Sequence, residues 1–321
     1  MAMPVVPIEA GVDVAKDELM IQTAPGTKPF AIPNTPKSIK TWLKSVPKGS
    51  ALALEATSSY HMELAEQAYA ADLNVYVIDG LRLSRYRDSL GVRAKTDAND
   101  ATLLARFLNR ERASLKAWVP PPPGHRQIQM LLRRRAKLVE IRGILRMSWS
   151  GEKLFASELE IIEQALKQLE RLFEMRLRAA VKEAGLLDQL RRIQQVPGVG
   201  FLTAVGLVMS FMRGEFSNSD AFVAYLGMDV ITAQSGKWVG RGRLSKRGDS
   251  EVRRLLHNAA MSGSRTETWK QFYAYHLARG KKTTQALVIL SRRLARLAYG
   301  LMKSQTDWNP QVYAGGGKTA N

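Results

Sequence analysis

Two aspartates, Asp97 and Asp100, stand three residues apart at the start of a stretch whose apolar residues recur every three or four positions. That spacing predicts a helix over Thr96–Leu108, and it places both carboxylates on one helix face. Like charges this close repel each other, so such a pair needs a helix N-terminus, a nearby cation or a metal ion to offset the repulsion. In isolation the motif is more typical of a solvated helix start with Asp97 as its N-cap.

Two more acids stand far upstream, each at the end of an apolar run. Asp13 lies near the end of the run Val5–Val14, and Glu55 closes the run Ala51–Glu55. Taken singly, each is typical of a turn or surface acid. Together with the aspartate pair, they indicate a set of carboxylates that the fold must bring together.

The elements that position these acids follow from the patterning of residues 1–118, which is that of an α/β domain. We expect three strands in a meander, then a helix, a strand, a helix, a strand and a final helix. Thr57 and Ser58 are both suitable N-caps for the second helix, and a basic segment precedes the last one. The expected bounds are Val5–Val14, Leu19–Thr23, Phe30–Ile32, Pro36–Leu43, Ala51–Glu55, Tyr60–Ala71, Asn74–Ile78 and Thr96–Leu108.

This order of elements and acids resembles the RNase H-like fold in its RuvC-type version. The resemblance implies that Asp13 and Glu55 lie on adjacent central strands and that the helix of Asp97 and Asp100 packs across them. Carboxylates are the hard oxygen ligands that Mg²⁺ takes. Two Mg²⁺ ions about 3.5–4 Å apart can activate the attacking oxygen and stabilise the leaving oxygen in phosphodiester exchange. We therefore expect a two-metal Mg²⁺ site at these four acids.

Composition indicates a nucleic-acid partner. The 321 residues carry a formal net charge of +19, with most of the excess in the C-terminal part, and such a charge favours a polyanion. The chain has no cysteine, and its four histidines lack metal-ligand spacing, which excludes disulfides, thiolate nucleophiles and Cys-ligated zinc. No apolar run approaches the roughly 18 residues of a membrane span, and no signal peptide is recognisable, so we expect a cytoplasmic protein.

Residues 119–190 form a different kind of segment. Pro120–Pro123 predict a stiff extended hinge, and the helical, basic stretch beyond it includes Arg133, Arg134 and Arg135 as candidate nucleic-acid contacts. An apolar stripe at three- and four-residue spacing predicts either a coiled coil between two chains or a helix pair within one chain. Both alternatives remain open. The stripe consists of Leu159, Ile162, Leu166, Leu169 and Phe173.

Residues 191–321 begin with the glycine-rich turn Val196–Gly200, which resembles a helix-hairpin-helix motif. In that motif, backbone N–H groups around Gly198 and Gly200 face a phosphate; a tight connection that needs glycine only for its conformation is the alternative. Farther on, a loop combines glycines, cations and a tryptophan, which is typical of contact with a sugar-phosphate backbone. The candidate contacts, with Lys95 from the first segment, are Lys237, Trp238, Arg241, Arg243, Lys246, Arg247, Arg253 and Arg254.

Five motifs stand in order along nearly the whole chain, namely Gly11–Lys16, Leu54–Tyr60, Lys95–Ala101, Val196–Gly200 and the stretch Ser235–Gly248. Together they resemble the Piv-related DEDD insertion-sequence transposases, a family that includes bridge-RNA-guided recombinases. Their order makes the match far more specific than any single motif.

The resemblance implies a RuvC-like domain over residues 1–118, a helical coiled-coil region over 119–190 and a mainly helical C-terminal transposase domain over 191–321. It implies that Ser235, directly before Gly236, is the nucleophile that forms a phosphoserine link to DNA, with Ser245 and Ser250 as competitors. A serine hydroxyl needs activation, and no histidine stands beside Ser235. The metal site would supply it if the two domains meet, either within one chain or across subunits. The metal-binding acids implied are Asp13, Glu55, Asp97 and Asp100.

We therefore expect an insertion-sequence transposase or recombinase that exchanges strands of donor and target DNA by Mg²⁺-assisted transesterification. The resemblance also implies a homo-oligomer, a dimer or a tetramer in synapsis, and a non-coding bridge RNA whose base pairing supplies specificity. Two alternatives remain. One is a RuvC-like nuclease or Holliday-junction resolvase in which water attacks, and the other is a non-catalytic nucleic-acid-binding scaffold.

Overall fold

The computed structural model describes residues 6–23, 27–57, 59–91, 96–232, 234–235, 238–240 and 242–313. The chain divides into two compact units, Met1–Pro120 and Pro121–Asn321. The first unit is α/β and the second is mainly helical, so the coarse fold class expected from the sequence is confirmed. The three-part division at residues 118 and 190 stays a prediction. Within the described ranges, no helix is both long and apolar enough to cross a membrane.

The first unit contains the strands β1 (Glu9–Val14), β2 (Glu18–Gln22), β3 (Phe30–Pro33), β4 (Ala51–Glu55) and β5 (Asn74–Ile78). They form one sheet in the order β3-β2-β1-β4-β5. Strands β1, β2 and β3 pair antiparallel, which confirms the expected meander, whereas β4 pairs parallel with both β1 and β5. The strands that carry Asp13 and Glu55 are therefore adjacent and central.

Helices cover both faces of this sheet; they are α1 (Pro36–Leu43), α2 (Met62–Ala70), α3 (Gly80–Ser89) and α4 (Asp97–Glu111). Side chains alternate along a strand, and β4 shows the result. Leu52 and Leu54 join a buried cluster with α1 and α2, whereas Ala51 and Ala53 join a second cluster with α3 and α4. The small alanines leave room for α4 to lie close to the sheet.

Two local expectations in this unit were wrong, and the alternative reading of Asp97 as an N-cap is excluded. Helix α3 occupies what we took for a basic connecting segment, and Asp79 caps it by accepting hydrogen bonds from the Leu81 and Arg82 N–H groups. Helix α2 begins after His61 with no side-chain cap, so the expected cap Thr57 does not serve; the other expected cap, Ser58, lies outside the described residues. Helix α4 has Thr96 as its N-cap, with the Thr96 hydroxyl accepting from the Asn99 N–H, so Asp97 is its first helical residue and not its cap.

The second unit contains α5 (His125–Ser148), α6 (Ala156–Glu183), α7 (Leu187–Gln194), α8 (Phe201–Phe211), α9 (Ser219–Tyr225), α10 (Ser250–Gly263), α11 (Glu267–Ala278), α12 (Thr283–Ser304) and α13 (Pro310–Tyr313). Its core is one continuous cluster that includes residues from α5, α6, α8, α10 and α12. Helices α5 and α6 form an antiparallel pair within the chain, in which Glu170 bonds both Arg135 and Arg142 at 2.5 Å. The helices thus pair within the chain, whereas Ile162 and Leu169 of the apolar stripe stay exposed, so a contact between two chains stays a prediction.

Candidate active site

Asp13 and Glu55 lie at the same end of two adjacent parallel strands. Val12 of β1 pairs with Leu54 of β4, and each acid is the next residue along its strand. Val12 and Leu54 are fully buried on the side of α1 and α2. Because side chains alternate, both half-buried acids belong to the opposite face of the sheet, which α4 covers.

Helix α4 reaches the sheet because β1 carries a glycine where the two elements cross. A Cβ added to Gly11 would lie 2.1 Å from the Ala101 carbonyl oxygen and 2.3 Å from the Ala105 backbone nitrogen. These are backbone atoms of α4, so no side-chain rearrangement could relieve such a clash. Gly11 thus permits the close approach that brings Asp97 and Asp100 toward the strand of Asp13.

The electrostatics of Asp13 indicate that the other three carboxylates lie near enough to act on it. The pKa of Asp13 is raised from 3.8 to about 6, first by burial and then by the negative charges of Asp97, Asp100 and Glu55, in that order. A hydrogen bond with the Val14 backbone opposes the shift. All three other acids are therefore near enough to disfavour a charge on Asp13. We call Asp13, Glu55, Asp97 and Asp100 the acid cluster.

Two of these acids have a positive neighbour. Arg87 Nη2 lies 2.6 Å from Asp100 Oδ1, and both side chains are largely buried. At Glu55, a Cβ added to Gly80 would lie 2.8 Å from Oε1, so the carboxylate adjoins the first residue of α3, where the positive end of the helix dipole lies. Sequence reasoning missed both contacts. The N-capping Asp79 and the apolar spacing of Leu83, Tyr86 and Leu90 could have predicted α3.

The acid cluster fits a hard divalent cation by its chemistry, because it gathers oxygen donors whose mutual repulsion a cation would relieve. Among the residues that the structure describes, no three acidic or histidine side chains are gathered closely enough to hold a metal ion as they stand. The chemistry of the donor set fits a divalent cation, and both metal binding and the identity of the metal stay predictions.

The candidate nucleophile lies in a hairpin of the second unit. Its short strands are β6 (Val230–Ile231), β7 (Gln234–Ser235), β8 (Trp238–Val239) and β9 (Arg243–Leu244). Strands β6 and β9 pair antiparallel, and nearer the tip Ser235 of β7 pairs with Trp238 of β8. The backbone of Ser235 therefore belongs to the tip of a two-stranded arm.

The competing serines have other surroundings. The Ser245 hydroxyl donates a hydrogen bond to the Asp229 carboxylate, and the Ser245 N–H donates to the Asp229 carbonyl at 3.0 Å. These bonds join the two sides of the hairpin base. Ser250 is the first residue of α10 and is exposed. Ser245 is thus engaged in holding the hairpin that carries Ser235.

The three consecutive arginines of α5 have three different environments. Arg133 is exposed and lies 3.2 Å from Asp249, and Arg134 is exposed. Arg135 is only 12 % exposed and its charge is engaged by Glu170 in the α5–α6 pair. Arg134 is thus more available to a polyanion than Arg135. For all three, the predicted nucleic-acid role stays a prediction.

The basic residues after the hairpin also differ in how far they are engaged. Arg253 donates to the Gly248 carbonyl at 2.6 Å and to the Leu226 carbonyl at 3.3 Å, and Arg254 makes a two-point pair with Glu251. Both arginines support the local fold. Three other cations are exposed, namely Arg243 in β9 of the hairpin, and Lys246 and Arg247 just beyond it.

Four of the candidate nucleic-acid contacts fall wholly or partly outside the described residues. Lys95, Lys237 and Arg241 lie outside the described residues, and Trp238 is described only through its backbone.

The glycine-rich turn has a packing role that the sequence left open. Gly198 has φ +93°, and a Cβ there would lie 2.6 Å from both the Ala259 carbonyl oxygen and the Gly263 Cα of α10. The Pro197 carbonyl accepts from Trp269 Nε1 at 2.9 Å. Gly198 is therefore required by conformation and close packing. Gly200, the exposed N-cap of α8, has open space around it. The phosphate role of both glycines stays a prediction.

Comparison with known proteins identifies relatives along most of the chain. Residues 10–146 match the IS110 DEDD transposase model, and residues 190–276 match the model of the IS116/IS110/IS902 transposase family. The pilin gene-inverting protein of Moraxella bovis is 24 % identical over 279 residues, covering 82 % of this chain and 83 % of the relative. The transposase for insertion sequence element IS1111A of Coxiella burnetii is 26 % identical over 254 residues, covering 67 % and 68 % respectively.

The two model matches follow one another in the order of the motifs. The first match continues through the hinge into α5 and includes all four residues of the acid cluster. The resemblance drawn from the sequence is thereby confirmed: the chain belongs to the IS116/IS110/IS902 family of DEDD transposases.

Proposed function

We propose that this transposase exchanges DNA strands by Mg²⁺-assisted transesterification, with the acid cluster as its metal site and Ser235 as its nucleophile. The observation that carries the proposal is the convergence of four carboxylates at one end of β1 and β4, expressed in the raised pKa of Asp13. The strand order β3-β2-β1-β4-β5 supports an RNase H-like, RuvC-type domain for the first unit. The relatives' names, a gene-inverting protein and an insertion-sequence transposase, both describe DNA rearrangement.

In the proposed reaction the Ser235 Oγ forms a bond to the phosphorus of a DNA phosphodiester, while the bond from phosphorus to the leaving sugar oxygen breaks. The serine proton ends on that sugar oxygen. One phosphate ester replaces another. The phosphoserine link therefore conserves the energy of the phosphodiester bond, which allows the DNA to be joined to a new partner. Without the serine, water would attack and the strand would only be cut.

The four acids of the proposed metal site come from β1, β4 and α4. Asp13 lies centrally, because all three other carboxylates act on it, and Asp97 and Asp100 come from the first turn of α4. When bound, Mg²⁺ supplies Lewis acidity to the phosphate and lowers the pKa of an oxygen nucleophile. The chain's own residues hold these oxygens at fixed positions on a rigid sheet and helix, which favours catalysis by preorganisation.

The proposed partners are donor DNA, target DNA and a non-coding bridge RNA. The net charge of +19 and the exposed Arg243, Lys246 and Arg247 support polyanion binding. Phosphate contacts of this kind position a nucleic acid without reading its sequence. In the proposal, base pairing with the bridge RNA supplies the sequence specificity.

A homo-oligomer is part of the proposal, because exchange of two strands requires paired DNA sites. The α5–α6 pair leaves a set of large apolar side chains exposed, a feature typical of interaction sites. They are Ile141, Ile144, Met147, Ile161, Ile162, Leu169, Leu172 and Met175.

Denaturing gels that detect a covalent protein–DNA adduct test the proposal, with Mg²⁺, cognate DNA and the flanking RNA co-expressed. We expect an adduct with the wild type, none with Ser235→Ala or Asp97→Ala, and an adduct with Ser250→Ala as the matched serine control. DNA cleavage without an adduct, unaffected by Ser235→Ala, would establish a metal-dependent nuclease instead. Full function in Asp13→Ala would point to a scaffold.

A further inference from the structure

One of the four acids is already paired with a cation of the chain itself. Arg87 Nη2 lies 2.6 Å from Asp100 Oδ1, and the side chains are 14 % and 4 % exposed. Arg87 belongs to α3 and Asp100 to α4, so the pair links the two helices on the acid side of the sheet. Among the described residues, no other ion pair involves a member of the acid cluster.

Arg87 and Asp100 do not form the bidentate ion pair that is common in purely structural contacts. A structural arginine–carboxylate pair is commonly bidentate, with two parallel N–H···O bonds, and buried donors are normally satisfied. Here a single contact joins Arg87 to Asp100, and Arg87 Nε is buried without a hydrogen-bond partner in the described part of the chain. Arg87 therefore provides positive charge at Asp100 while its guanidinium remains incompletely bonded.

We propose that Arg87 is the counter-cation of the acid cluster, which occupies Asp100 until a divalent metal ion takes its place. The inference rests on the metal site of the proposed function. Four converging carboxylates destabilise the folded chain unless a positive charge is near, and Arg87 supplies that charge before the metal arrives. A cation that stabilises the cluster also competes with any second cation for the same oxygen.

The proposal fixes the sign of two measurable effects. Removal of the Arg87 charge makes the acid cluster more negative, so it destabilises the metal-free chain and strengthens metal binding. An arginine that instead orients Asp100 as a ligand has the opposite effect on the metal, because its removal leaves Asp100 poorly placed. Metal affinity therefore distinguishes a competing cation from an orienting residue, independently of catalysis.

The experiment compares the wild type with Arg87→Met, Arg87→Lys and Arg85→Met by calorimetric titration with Mg²⁺ and with Mn²⁺, and by thermal unfolding in EDTA. We expect Arg87→Met to bind metal about tenfold more tightly and to unfold at a lower temperature in EDTA. Arg85 is exposed on the same helix, so Arg85→Met removes the same charge away from the cluster and should behave as the wild type.

Arg87→Lys keeps the charge without the planar fork and should bind metal as the wild type does, which provides a test even if Arg87→Met does not fold. Weaker metal binding in either Arg87 variant overturns the proposal and makes Arg87 an orienting residue. If wild type and Asp13→Asn bind Mg²⁺ and Mn²⁺ equally poorly, the metal site of the proposed function fails, and this inference fails with it.

Discussion

At the scale of the residue, stability and the proposed function make opposite demands on the charge of Asp13. Its half-buried position and its three acidic neighbours both disfavour a charge on it, yet the metal ligand that we propose it to be must be ionised. The folded-state pKa of about 6 lies above the ordinary 3.8, so the folded chain holds the proton more tightly than the unfolded chain. That contribution to stability is fully present below about pH 4 and is lost as the pH rises through about 6.

Asp13→Asn should therefore stabilise the metal-free protein at high pH while abolishing metal-dependent cleavage. We expect the free energy of unfolding in EDTA at pH 8 to rise by about 1–2 kcal/mol, a value discounted for the partial exposure of Asp13. At pH 4 the gain should nearly vanish, because the wild-type carboxyl is then mostly protonated. Urea unfolding at both pH values measures the difference.

Asp17→Asn is the control for this prediction, since Asp17 is an exposed acid in the turn after the same strand. It should leave stability unchanged at either pH. A destabilised Asp13→Asn protein at pH 8 would show that burial and the neighbouring acids do not disfavour a charge on Asp13 in the folded chain.

At the scale of the element, the site depends on how closely α4 lies on β1. The two aspartates of α4 are brought to Asp13 by a backbone-to-backbone contact at Gly11, and the small Ala51 and Ala53 of β4 line the same face of the sheet. Larger residues at these positions would move α4 outward. The geometry of the acid cluster is thus set by small residues that carry no chemistry themselves.

Gly11→Ala tests this contact. A methyl group would lie 2.1 Å from the Ala101 carbonyl oxygen, so the helix must shift, and we expect a loss of about 2–4 kcal/mol in the free energy of unfolding. Metal binding should weaken together with stability, because Asp97 and Asp100 move with α4. Urea denaturation and calorimetric metal titration give the two readouts.

Gly143→Ala is the matched control, since a Cβ at Gly143 in α5 meets nothing within 4 Å. It should stabilise the protein by about 0.5–1 kcal/mol through helix propensity alone and leave metal binding unchanged. If Gly11→Ala were as stable as the wild type, the close approach of α4 would not be required.

At the scale of the whole molecule, the acids proposed to bind metal and the cations proposed to bind nucleic acid belong to different units. The acid cluster lies in the first unit, whereas the exposed Arg243, Lys246 and Arg247 lie in the second. Arg135 and Arg253 show that not every basic residue is available to a polyanion, because one is paired with Glu170 and the other caps a loop. The net charge of +19 thus overstates the number of cations that are available to bind a polyanion.

A triple variant with Arg243, Lys246 and Arg247 changed to Gln should weaken DNA binding at all sequences alike. If each cation neutralises one phosphate, the slope of log affinity against log salt concentration should become shallower by about 3. Filter binding over a salt series measures it. The control replaces three exposed lysines of α1, Lys37, Lys40 and Lys44, with Gln; an equal change of slope there would mean that binding follows net charge and not this surface.

Local patterning was enough to predict much of the fold. The bounds of α1, β4 and β5 were predicted as they occur, because apolar periodicity and turn residues act over a few positions. Helix α3 was missed since its basic composition hid a cap and an apolar face. The predicted N-cap of α2 was wrong because several residues before a helix can serve as its cap, and packing decides among them.

The sequence by itself determined the four acids, their order along the chain, the two kinds of unit and the family, because these depend on residue types and on spacings within one element. Only the tertiary structure decided which residues meet. The pairing of Arg87 with Asp100, the contact of Gly11 with α4 and the engagement of Arg135 by Glu170 join separate elements. Such contacts depend on how helices pack against a sheet and against each other, which no local pattern specifies.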